Sequence, residues 1–267
     1  MSHDAEFPTG SPRRIVVFRV LAALTGLLFL VAGTMNARAG WVLVVGADGD
    51  VHAELNRWFT TVAGTSDLIM AGSFLVLAWR PALHLLFSFV AIAFVVAAVI
   101  NLPFVPEFAV ILAAVLPALI AYPFWGQLRT FPQWWGGSRG LLLWLTALGA
   151  VVLLPLAAIS VVRQIGGTDA AAQANWWADY AEHITLLALA GLLASTRQPG
   201  WRILGGLAAV AWVYLGLVAG FALPDHTASW GTVGGVAAML LGAALAVICI
   251  RGEPHPQDVR KPQPSVA

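Results

Sequence analysis

Eight apolar runs, at 15–32, 62–79, 83–100, 108–125, 141–162, 181–195, 203–221 and 232–250, constrain this chain more than any other feature. Most approach the roughly 20 residues that an α-helix needs to cross a bilayer. The chain is 60% hydrophobic and 10% charged, and its mean hydropathy is +0.83. The expectation is an all-α polytopic membrane protein with eight transmembrane helices. The second and sixth helices are expected to begin earlier, near Asn56 and Asn175, as amphipathic turns. Arg13-Arg14 before the first run invites a secretion-signal reading. The run that follows is long, and no small-residue cleavage site with a soluble domain comes after it, so it is read as the first span.

Orientation follows from where the arginines fall. Arg13, Arg14, Arg80, Arg129, Arg139, Arg197, Arg202, Arg251, Arg260 and Lys261 occupy the amino-terminal segment, the even loops and the tail. The odd loops hold Arg38, Arg57 and Arg163 beside Asp48, Asp50, Glu54, Glu107, Asp169 and Asp225. The positive-inside rule then puts both termini in the cytoplasm. Arginine dominance, with abundant alanine, glycine and valine, fits a bacterial source and hence the inner membrane. A formal net charge of +1 leaves no basic surface for nucleic acid. The single cysteine, Cys249, rules out disulfide exchange within the chain or a multi-cysteine metal site.

The two halves echo each other. Asn56-Arg57-Trp58 answers Asn175-Trp176-Trp177, and the same offset carries Gly72 onto Gly191. Leu102-Pro103 answers Leu223-Pro224, while Arg14 and Arg38 answer Arg139 and Arg163. This predicts two tandem four-helix units, 1–125 and 139–250, both entering the membrane the same way. A tryptophan-rich cytoplasmic linker at 126–138 would join them, and a disordered cytoplasmic tail at 251–267 would follow. On this reading Gly72 and Gly191 occupy equivalent helix crossings.

The first half also resembles a known family. The run FRVLAALTGLLFLVAGTMNA, with Arg19 early in the span and Gly33 shortly before Asn36, is similar to the opening helix of DoxX-like membrane proteins. AGTSDLIMAGSFLVLAWRP, with Asp67, Gly72 and Arg80-Pro81, resembles their second helix. The likeness covers roughly 18–123, with a degenerate echo in the second half. It implies a four-helix unit in the cytoplasmic membrane, in a family whose members mostly lack a defined reaction. Asn36 stands where the family pattern usually has a lysine.

The polar residues inside apolar runs are the candidate site. Asp179, Glu182 and His183 enter the sixth run at helical spacing and can share one face, with Trp176 a turn earlier. Asp225 and His226 follow the seventh run at the same outer side. Glu182 and His183 are the candidate acid and base. Trp176, Asp179, Asp225 and His226 are candidate ligand contacts. Three readings stay open for this face: solvated helix ends, a small-molecule site, or a divalent metal held by Asp179 and His183 with Asp225 or His226. No metal is assigned, and no cofactor is named. Asp67, near the middle of its span, has two readings: a buried pair with Arg19, or a hydrogen-bonded carboxyl at a helix crossing.

Function therefore divides three ways: binding of a lipophilic small molecule or a membrane partner, acid/base catalysis on an isoprenoid, sterol-like lipid or quinone, or small-molecule transport. The lipid bilayer is the one partner that composition itself implies. Reporter fusions test the topology. Fusions after Gly49 and Gly167 are expected to report the outer side, and those after Thr130 and at the carboxyl terminus the cytoplasm; an external carboxyl terminus would defeat an even number of spans.

Overall fold

The computed structural model describes residues 11–42, 52–106 (backbone alone over 52–55), 108–125 and 140–251. The linker at 126–138 and all but the first residue of the tail at 251–267 lie outside the described residues. Within them the fold is helical throughout: α1 Pro12–Ala37, α2 His52–Trp79, α3 His84–Asn101, α4 Phe108–Ile120, α5 Leu141–Gly166, the short α6 Ala170–Gln173, α7 Trp176–Ser195, α8 Trp201–Leu217 and α9 Gly231–Arg251. A 3₁₀ turn, Arg38–Gly40, extends α1, and a π-helical turn, Val218–Ala222, extends α8.

Among the described residues six helices are long and apolar enough to cross a membrane: α1, α2, α3, α5, α8 and α9, with the two extended ones counted to Gly40 and Ala222. The fourth run, expected to be helical over 108–125, is helical only over the 13 residues Phe108–Ile120 and carries Pro117 inside it. At 1.5 Å per residue that covers roughly 20 Å, less than a hydrocarbon core of about 30 Å. In α7 the polar residues of its first two turns dilute an otherwise apolar sequence.

Packing sorts the helices into an interior and a periphery. Windows of α2, α3 and α8 are 56–61% buried, whereas those of α1, α5 and α9 are 22–33% buried. The peripheral helices turn Val20, Leu24, Val151, Val162, Leu240 and Val247 outward, as side chains that meet lipid must be. Inside, α7 touches α2, α3, α5 and α8, and α2 touches α1, α3, α7 and α8, so the bundle converges on these two helices.

Two helix pairs are drawn together by glycine. A Cβ on Gly64 of α2 would collide with the backbone of Asn36 and Ala37, and one on Gly33 would lie 2.9 Å from the Gly64 carbonyl. Gly216 on α8 and Gly235 on α9 meet in the same backbone-to-backbone fashion. Small residues permit this approach in membranes, where dispersion contact replaces the hydrophobic effect between helices. Gly72 and Gly191 do not occupy equivalent crossings: Gly72 faces Leu207 of α8, whereas Gly191 faces Thr146 of α5. The asparagines of the repeat differ as well, since Asn56 lies within α2 while Asn175 adopts a left-handed backbone (φ 62°) just before α7.

Helix ends are closed by side chains from other elements. Gln164 of α5 donates to the Ala172 carbonyl and to Asn175 Oδ1, and accepts from the Ala178 N–H, which wires the start of α7 to α5. Arg14 donates to the Ile120 and Ala121 carbonyls at the end of α4, where orphan acceptors and the helix dipole favour a cation. Gly64→Leu should cost about 1–3 kcal/mol or more through overpacking against backbone. Gly206→Ala, where nothing lies within 4 Å, should be silent. Thermal unfolding of both variants in detergent checks this, and equal behaviour would contradict the close α1–α2 contact.

Candidate functional site

The polar residues of α7 meet the first half of the chain. One turn into the helix its backbone carries Asp179, then Glu182 and His183 three and four residues on. Neighbouring residues point about 100° apart on a helix, and the two candidate catalytic groups take partners on different helices. Glu182, 6% exposed, accepts a hydrogen bond from Asn101 Nδ2 at the end of α3, where Asn101 is fully buried. His183 Nδ1 lies 2.5 Å from Ser66 Oγ on α2. Ser66 Oγ also lies 2.9 Å from the Ala63 carbonyl, to which it can donate, and the direction of its bond with His183 Nδ1 follows the ring tautomer.

Asp67 belongs to the same centre. Its carboxyl and those of Asp179 and Glu182 lie close enough to act on one another electrostatically. Of the two readings for Asp67, the buried pair with Arg19 does not form. The Arg19 guanidinium reaches the Trp79 carbonyl at 3.5 Å, at the far end of α2, because the antiparallel α1–α2 register sets Arg19 several turns from Asp67. With Arg19 held elsewhere, the three carboxyl groups share an apolar interior whose donor to Glu182 is a neutral amide. They cannot all carry charge at once without a prohibitive desolvation cost.

Asp225 and His226 do not join this centre. Asp225 is exposed in the loop after the π turn. His226 Nδ1 accepts the Ala228 N–H at 3.2 Å, and its ring meets Phe59 edge-on at 6.4 Å. Trp176 also packs on Phe59, with ring centroids 5.8 Å apart. These two residues thus belong to an aromatic layer above the polar centre, together with Trp177 and Tyr180. Among the described residues no group of three His, Cys, Asp or Glu side chains is arranged to hold a metal ion, and neither Asp225 nor His226 is brought to Asp179 and His183. The polar centre is also tight. The space beside His183, bounded by Val62, Ser66, Ile69, Leu187 and Leu215, amounts to about 160 Å³ of narrow gaps, none wide enough for a water molecule.

The roomy site lies on the other side of α7. A cavity of about 650 Å³ runs between α5 and α9, floored by α7 and α8. Its walls are aliphatic residues such as Val152, Leu156 and Leu241, and its aromatic lining is Trp177, Tyr180, Trp212 and Trp230. The Trp230 indole donates to the Tyr180 hydroxyl at 3.0 Å, and the Trp212 and Trp230 rings lie 5.6 Å apart. At one end Arg163 stacks over Trp177, its Cζ 4.7 Å from the ring centroid. No family model, no curated protein and no solved structure matches the chain, so the geometry itself carries the functional argument.

Sequence reasoning missed Asn101 and Ser66, the partners of Glu182 and His183, and it missed the cavity. Asn101 had a visible signal, being a lone amide at the end of an apolar run. Its Oδ1 is buried with no partner, which yields a test. Asn101→Leu should lose about 1–3 kcal/mol, because it strands the Glu182 carboxyl. Glu182→Gln should hold or gain stability, since the amide it introduces can both accept from Asn101 and donate to its free oxygen. Thermal melts of the two variants decide this; a harmless Asn101→Leu would break the assignment.

Proposed function

We propose that this chain is a DoxX-like multi-pass protein of the bacterial inner membrane that binds a lipophilic molecule in the cavity between α5 and α9. The observation that carries the reading is the cavity itself: about 650 Å³, walled by aliphatic side chains and four aromatic ones. That size falls in the range of small-molecule sites, which are mostly apolar with a few placed polar groups. The aromatic rings supply rigid contact area, and the Ser160 and Ser229 hydroxyls and the Trp177 and Trp230 indoles on the walls already have partners within the protein, so an apolar guest strands none of those four.

The same proposal takes α4 and α7 as spans, giving eight helices in two four-helix units with both termini cytoplasmic. Three observations support it. Arg14 at the start of α1 caps the end of α4, so four helices bring the chain back to the side where it began. Leu102-Pro103 and Leu223-Pro224 both follow directly on their helices. Exchanging α2 with α7 and α3 with α8 turns the α3–α7 contact into the α8–α2 contact, and both are present.

The catalytic reading draws less support. Glu182 and His183 engage separate partners, and the space beside His183 admits no substrate. To test the leading reading, the full chain is purified in mild detergent and its co-purifying lipophilic molecules are identified by mass spectrometry, alongside Ala237→Trp. Ala237 is an exposed residue on the cavity wall, so the indole fills the space without disturbing the core. Wild type should retain a lipophilic molecule and Ala237→Trp should lose it. Equal retention by a well-folded variant would remove the cavity from the account.

A further inference from the structure

The cavity has a direction, and the direction specifies its occupant. Along α5 its lining runs from Leu148 to Arg163, fifteen residues or roughly 22 Å of helix. That length exceeds one leaflet of a hydrocarbon core about 30 Å thick. From Leu148 to Ile159 the α5 side is aliphatic, apart from Gly149, and the serine, threonine and arginine side chains of the lining, Ser160, Arg163, Thr227 and Ser229, gather at the other end. On the arginine-based orientation that end faces the outer leaflet.

Arg163 is the one charged residue among the described residues that line the cavity. It is exposed, and it is held in place by the face of Trp177 rather than by a carboxylate. The nearest acid along the chain is engaged elsewhere: Asp169 accepts from the Ala172 N–H at 2.7 Å and from the Trp177 indole at 3.3 Å. Ser160 and Ser229 give their protons to the Leu156 and Leu223 carbonyls. The cavity is thus an apolar slot as long as a leaflet is deep, with a positioned guanidinium at its headgroup end.

We infer that the slot holds an acyl chain of an outer-leaflet anionic phospholipid, with the lipid phosphate on the Arg163 guanidinium. A guanidinium meets a phosphate through two parallel N–H donors, a geometry that a point charge does not offer. A zwitterionic lipid carries an ammonium beside its phosphate that competes for it, so the site distinguishes lipids by net headgroup charge. The inference rests on the lipophilic-cavity reading and adds the class of ligand.

The test uses the full chain in nanodiscs of equimolar phosphatidylglycerol and phosphatidylethanolamine, transferred to detergent, with retained lipid counted by native mass spectrometry. Wild type should retain phosphatidylglycerol in preference. Arg163→Gln should lower that preference about tenfold, the loss of one charge-assisted contact, while still retaining lipid. Arg163→Lys should recover part of the preference. Arg251→Gln, at the far end of α9, should leave it unchanged, with melting temperatures equal throughout. An unchanged preference in Arg163→Gln, an equal drop in Arg251→Gln, or no preference in wild type overturns the anionic headgroup while leaving the cavity reading intact. Retention of lipid that Ala237→Trp does not reduce overturns the cavity reading itself.

Discussion

Polar side chains inside an apolar helix bundle need partners within the protein, and for Glu182 and His183 those partners come from the opposite half of the chain. Glu182 reaches Asn101 across 81 residues of sequence, and His183 reaches Ser66 across 117. An unsatisfied group at these positions costs more than most packing defects, because no water is at hand to replace the missing bond. The two bonds therefore set the depth and rotation of α7 against α2 and α3. Once α7 is set, the interior of α2, α3, α7 and α8 is determined and α1, α5 and α9 are left at the rim.

The slot between α5 and α9 follows from the same arrangement. Gly149 on α5 lies under the Trp212 ring, where an added Cβ would come within 2.9 Å of the indole. Gly216, Gly235 and Gly242 pull α9 tightly onto α8. With α5 held to α7 by Gln164 and α9 held to α8, the two rim helices approach each other at Gly149 and Leu241 and enclose the slot over a floor of large aromatic rings. The closed polar centre and the open apolar slot thus lie on opposite faces of one helix, α7.

Much of the interior could be read from the sequence, and for a physical reason. A carboxylate or imidazole in an apolar run is costly, so Asp67, Asp179, Glu182 and His183 announced themselves, and they do gather. Their partners were hidden because serine and asparagine carry no charge and are common at helix ends. A pair between Arg19 and Asp67 was one of two readings the sequence allowed, but register, which a linear sequence does not display, carried Arg19 to the Trp79 carbonyl. Asp225 and His226 shared an outer side with α7 yet joined an aromatic layer and a loop. The slot was illegible for a different reason. Its walls are ordinary lipid-compatible residues, and only the relative placement of α5 and α9 makes a space of them. The six apolar helices were plain, whereas α4 was overestimated because its apolar run continues past Ile120 through Tyr122-Pro123, where the helix stops.

The central claim is that the slot between α5 and α9 is a lipid-sized binding site. The most direct measurement is a cryo-electron microscopy map of the full chain in lipid nanodiscs, read for density between Leu148 and Arg163. The account predicts one elongated feature along α5, resting on Trp212 and Trp230 and ending in stronger density at the Arg163 guanidinium. Side chains of α5 and α9 interlocked across that space, with no room for a guest, would contradict it.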